Sequence, residues 1–109
     1  MALYRPSELK NLLQSLGVAP KRSLSQNFLI DGNILKKIIE RANPALASSI
    51  LEIGPGPGVL TEALLERGCC VIAIEKDHVF AQSLTRLDVT GQKLTVIEKD
   101  VLHVCFDEL

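Results

Sequence analysis

Glu52, Gly54, Gly56 and Gly58 stand at alternate positions and carry the clearest chemical signal in the sequence. They lie within Leu51-Glu52-Ile53-Gly54-Pro55-Gly56-Pro57-Gly58-Val59-Leu60. An apolar run ending at Ile53 gives way to glycine, and Leu60, Ala63 and Leu64 follow at helical spacing. Glycine has no Cβ, so the backbone can turn sharply there and leave room for a ligand. The N–H groups that open the next helix would face an anion, so a bound carboxylate needs no lysine. The spacing narrows the choice of ligand. A dinucleotide fingerprint requires a third glycine where this chain has Val59, and a P-loop requires a closing Gly-Lys-Ser/Thr that is absent. Prolines at 55 and 57 and an acid at 52 exceed what a plain turn demands.

These residues need strands and helices to hold them. Pro6, Ser7 and Glu8 open a helix over 6–16, with Leu9, Leu12, Leu13 and Leu16 on one face and Gly17 as its stop. Residues 18–30 read as a loop with Lys21-Arg22 and then Gln26-Asn27-Phe28-Leu29. Amides beside an aromatic ring suit an adenine-like ligand. Asp31 caps a second helix, 32–43, whose apolar residues are Ile34, Leu35, Ile38, Ile39 and Ala42; Asn43-Pro44 ends it. A strand over 49–53, the glycine turn and a helix over 58–67 come next, closed by Gly68. The near-continuous apolar run from Cys69 to Glu75 predicts a central parallel strand covered on both faces. Glu75 ends it, about 20 residues past the turn, where doubly wound folds place an acid that accepts ribose hydroxyls. Asp77 caps a helix over 78–87 with Val79, Phe80, Leu84 and Leu87 inward, and 94–98 form a third strand. Asp100 follows at that strand's carboxyl end, on the ligand side of an open α/β sheet. A carboxylate there can accept an exocyclic adenine amine.

The predicted order is helix, loop, helix, then β-α-β-α-β, and right-handed crossovers set the strands side by side as 3-2-1. This is the N-terminal half of a doubly wound parallel α/β sheet preceded by two helices. It divides into 1–47, a helical and loop segment with ligand-facing residues, and 48–109, the half-sheet. Strand 1 becomes an apolar edge without a second neighbour, which predicts self-association or partial disorder.

Charge is uneven. Residues 1–41 hold seven Lys/Arg against three acids, and residues 42–109 hold five against ten. A basic N-terminal third suits an anionic partner, and equally a solvated helix surface. Cys69, Cys70 and Cys105 are odd in number, and two are adjacent in an apolar run. That pattern predicts reduced, buried thiols in a cytoplasmic protein rather than a disulfide framework. His78 and His103 stand apart, no metal-ligand spacing occurs, and neither a signal peptide nor a membrane-length apolar run is seen.

The acid-x-Gly-x-Gly-x-Gly motif resembles the first motif of class I S-adenosylmethionine-dependent methyltransferases. Gln26-Asn27-Phe28-Leu29, Leu51 to Gly58, Glu75 and Lys99-Asp100-Val101 together resemble the ribosomal RNA adenine N6-dimethyltransferases, over about residues 18–103. The resemblance implies a Rossmann-like fold and S-adenosyl-L-methionine as cofactor. The activity it implies is dimethylation of N6 on two adjacent adenosines near the 3′ end of small-subunit rRNA. It also implies the pre-30S ribosomal subunit as partner, a cytoplasmic location and no membrane or metal. Asn27, Leu29, Gly54, Glu75 and Asp100 would line the cofactor site, Glu52 would lie near the ligand's ammonium group, and Lys21-Arg22 would lie toward the RNA. The family's catalytic Asn-(Leu/Ile)-Pro-(Tyr/Phe) motif is absent from residues 1–109. The chain is therefore expected to be an N-terminal portion that binds cofactor weakly and turns nothing over. Two other readings stay open: a non-catalytic RNA-binding or ribosome-assembly module on the same fold, and a different class I methyltransferase.

Overall fold

The computed structural model describes residues 3–18, 32–45, 48–88, 91 and 93–109. Helix α1 spans Pro6–Ser15, with proline at the position where a missing N–H costs nothing. Its buried face is Leu9, Leu12 and Leu13. Gly17, at φ 70°, ends it, and the Val18 N–H returns to the Leu13 carbonyl at 3.1 Å. Helix α2 spans Gly32–Ala42 and buries only Leu35. The five-residue apolar face expected there is not formed. Contact with the neighbouring helix is one stripe wide, so Leu35 and Ile39 turn inward while Ile34 and Ile38 stay exposed. Asn43, at φ 41°, and Pro44 then close the helix as expected.

Three strands follow: β1, Ser49–Ile53; β2, Cys70–Glu75; and β3, Leu94–Glu98. They are parallel in the order β1-β2-β3, the arrangement predicted from right-handed crossovers. Ile53 lies opposite Ile74, and Glu75 opposite Glu98. Helix α3, Val59–Glu66, packs on β2, and helix α4, His78–Leu84, packs on β2 and β3. A further 3-10 turn, Thr85–Leu87, continues α4. Asp77 caps α4 as expected, accepting the Phe80 N–H at 3.0 Å.

Alternation along the strands explains where the core sits. Ile50, Val71, Ala73, Leu94 and Val96 share the face that meets Leu64 and Leu84. A second cluster joins Leu3, Leu9, Leu13 and Leu35 to Val59 and Phe80, so the first two helices share a core with the half-sheet. Glu62 on α3 reinforces this by accepting the Leu3 N–H at 2.8 Å.

β1 is the apolar edge expected from the strand order: among the described residues it pairs with β2 alone, Leu51 and Ile53 are exposed, and Glu52 is its buried residue. Two further expectations need correction. Val79 is exposed, since the inward stripe of α4 is Phe80, Ala81 and Leu84. Of the three free thiols only Cys69 is buried; Cys70 is half-buried, and Cys105 lies exposed beyond the sheet. No helix among the described residues is long and apolar enough to cross a membrane.

Candidate functional site

The glycine turn joins the end of β1 to the start of α3, and its three glycines do different work. All have positive φ: Gly54 at 68°, Gly56 at 57° and Gly58 at 98°. A Cβ on Gly54 would meet no atom within 4 Å, so the space over that end of the turn is open. A Cβ on Gly58 would come within 2.7 Å of Leu87 and 2.8 Å of Leu84. That glycine lets the turn lie flat on the core, a packing role the spacing alone did not reveal. Gly56 supplies an N–H, which it donates to Oε1 of Glu75 at 2.8 Å.

Glu75 ends β2 and is buried. Its second oxygen, Oε2, accepts the Asp77 N–H at 2.9 Å. The carboxylate thus bridges the glycine turn and the start of α4, and its orientation is set by two backbone donors from different segments. Each carboxylate oxygen accepts more than one hydrogen bond, so capacity for hydroxyl donors remains. Asp100 lies one strand further along. The Lys99 N–H reaches the Glu75 carbonyl at 3.1 Å, which ties the residue before Asp100 to the end of β2. Asp100 is half-buried, and its Oδ1 accepts the Leu102 N–H at 3.0 Å.

The structure therefore brings Gly54, Glu75 and Asp100 together at the carboxyl ends of the strands, where open α/β sheets bind ligands. Asn27, Leu29 and Lys21-Arg22 lie outside the described residues. Glu52 sits beneath the turn, facing α3, and its Oε1 accepts the Thr61 hydroxyl at 2.5 Å. Burial pushes the Glu52 carboxyl above the usual carboxylate range; the Thr61 hydrogen bond opposes this and the nearby Glu75 adds to it. Neither Glu52 nor Glu75 has an ion pair among the described residues.

Sequence reading missed Thr61. Its signal was available: a hydroxyl at an inward helical position, one turn past an acid-bearing strand. It also missed the contacts of Glu98 at the end of β3. That carboxylate meets His78 Nδ1 at 2.9 Å and accepts from Gln82 Nε2 at 3.3 Å. The His78 and Gln82 hydrogen bonds hold its carboxyl below the usual range. A separate cavity of about 560 Å³ lies along α2 and the C-terminal end of α3, between Tyr4, Lys36, Ile39 and Arg67. Its lining includes none of Gly54, Glu75 and Asp100, and Arg67 there is tied to the Pro44 carbonyl and Asn43 Oδ1.

Comparison with known proteins agrees with this geometry. Residues 18–109 match the family described as ribosomal RNA adenine dimethylase. A protein of Protochlamydia amoebophila named ribosomal RNA small subunit methyltransferase A is 46% identical over 108 residues, covering 99% of this chain and 38% of that protein. Its namesake in Deinococcus radiodurans is 50% identical over 91 residues, covering 80% and 31%. The solved dimethyladenosine transferase of Plasmodium falciparum superposes with a TM-score of 0.62 at 32% identity, covering 70% of this chain and 28% of that one. The chain thus spans between 31% and 38% of the length of these two curated relatives. With its half-sheet, its strand-end acids and the extent of these matches, the chain belongs to the ribosomal RNA adenine dimethylase family.

Proposed function

We propose that this chain is the cofactor-binding N-terminal portion of an enzyme that uses S-adenosylmethionine to dimethylate N6 of two adjacent adenosines near the 3′ end of small-subunit rRNA. The observation that carries the reading is the pair of buried acids beneath an open glycine turn, neither of them ion-paired among the described residues. Such a site favours a ligand with positive charge and hydroxyl donors. S-adenosylmethionine carries an ammonium group, a sulfonium and a ribose, whereas the dinucleotide fingerprint fails at Val59.

The residues present fit that group. Glu75 would take the ribose hydroxyls on the lone pairs that Gly56 and Asp77 leave free, and Asp100 the adenine amine. The open side of Gly54 would admit the methionine part, with Glu52 toward its ammonium group, and Asn27 and Leu29 would complete the lining. The cofactor supplies the methyl group; the chain's part is to hold it in place and exclude water. The motif that grips the target adenine in the family is not in residues 1–109, so the role we assign to these residues is to hold the cofactor. The wider reading includes action on the pre-30S subunit in the cytoplasm, with Lys21-Arg22 toward RNA.

Calorimetric titration with S-adenosylhomocysteine, with NAD as control, tests this. Saturable binding of the first only, weakened by Asp100→Ala, is expected. Equal binding of both ligands, or an Asp100→Ala variant that binds like wild type, would contradict it. The reading also has copies associate through the β1 edge. Sedimentation should show association that rises with concentration and falls in Ile53→Lys; a monomer at all concentrations would refute that part.

A further inference from the structure

Glu52 and Thr61 are nine residues apart, and the strand–turn–helix unit brings them together. Thr61 has no exposed surface, and Glu52 retains 9%. The Thr61 hydroxyl at 2.5 Å is the single hydrogen-bond partner of Glu52 among the described residues. A buried hydroxyl is costly unless it is bonded. Val59 and Leu64 are the apolar residues that α3 buries near Thr61, and the bond to Glu52 is the contact that a valine there could not make. The hydroxyl therefore serves the acid rather than the core.

We propose that Thr61 is a positioning residue for cofactor binding: its hydroxyl holds one oxygen of Glu52 and leaves the other as the acceptor for the ligand's ammonium group. This rests on the reading of the glycine turn as an S-adenosylmethionine site. Attraction of an ammonium group requires an ionised carboxylate. Burial and the charge of Glu75, at the end of β2, both favour the neutral form of Glu52, and the Thr61 hydrogen bond is the contact that opposes them. Glu62, beside Thr61 on α3, is engaged by the Leu3 N–H.

The test uses Thr61→Val, which keeps the shape, and Thr61→Ser, which keeps the hydroxyl. In the ligand-free chain the carboxyl carbon-13 shift of Glu52 is followed against pH. Thr61→Val should raise the midpoint of Glu52, and Thr61→Ser should restore it toward wild type. Calorimetry with S-adenosylhomocysteine is then run from mildly acidic to neutral pH. Thr61→Val should weaken binding about tenfold, the scale of one hydrogen bond to a charged group, with the deficit growing as pH falls. Thr61→Ser should stay near wild type. An unmoved Glu52 midpoint in Thr61→Val, or a Thr61→Ser variant that behaves like Thr61→Val, overturns the proposal alone. Absence of binding by the wild-type chain overturns the cofactor reading, and the proposal with it, whatever the carboxyl titration shows.

Discussion

β1 and β2 are neighbours in one sheet, paired residue for residue, and both read as apolar in sequence. Their burial is opposite. Ile74 on β2 is 2% exposed, and its register partner Ile53 on β1 is 57% exposed. Both side chains point to the same sheet face, away from α3 and α4. The difference comes from position: β2 has a strand on each side, and β1 has one. Hydropathy reports what a residue can bury, and topology decides whether it does.

The largest expected effect breaks this comparison directly. Ile74→Ala should cost about 2–5 kcal/mol of stability, because it leaves a cavity under the central strand. Ile53→Ala should stay within about 0.5 kcal/mol, the range of a surface change. Urea denaturation of the two variants, at a concentration low enough to keep copies of the chain apart, measures both. Equal losses would mean that β1 is covered in solution.

A second contrast lies inside the glycine turn. Gly58→Ala must hold a left-handed backbone and push into Leu84 and Leu87. Backbone strain of about 1–2 kcal/mol and overpacking of about 1–3 kcal/mol should add there. Gly54→Ala carries only the backbone cost, since nothing lies near its Cβ. Its main effect should fall on ligand binding instead. Thermal melts paired with calorimetry separate the two, and a Gly58→Ala variant as stable as Gly54→Ala would refute the packing role.

The smallest effects concern pH and have opposite signs. The Glu52 carboxyl is raised on folding, so its ionisation works against the fold. Its contribution is most favourable below the ordinary glutamate range and is lost as pH rises through the raised value. Glu52→Gln should therefore stabilise the ligand-free chain near neutral pH and weaken cofactor binding. Glu98 is lowered, so its contribution is present above the ordinary range and is lost as pH falls through the lowered value. Glu98→Gln should slightly flatten the acid side of the stability profile. Melting midpoints against pH for both variants check the signs; shifts in the same direction would count against the assignment.

Much of the fold was legible because its cues are local. The stop at Gly17, the cap at Asp77, the Asn43-Pro44 break and the strand–turn–helix around Gly54 each depend on a few adjacent residues. The 3-2-1 strand order followed from handedness. What stayed hidden depends on partners distant in the chain. The single buried stripe of α2 reflects how narrowly it meets α3. Within the site, Gly54, Glu75 and Asp100 were readable from type and spacing. The Glu75–Gly56 bond, the packing of Gly58 and the service of Thr61 to Glu52 were not, since each is a contact between segments.

The most direct test of the central claim compares the two ends of the sheet. Backbone amide shifts of the chain are recorded by NMR during titration with S-adenosylhomocysteine. The largest changes should fall at Gly54, Gly56, Asp77 and Asp100, at the carboxyl ends of the strands, with Gly17 and Gly68 still. Changes centred on Tyr4, Lys36 and Arg67, around the cavity beside α2, would contradict it.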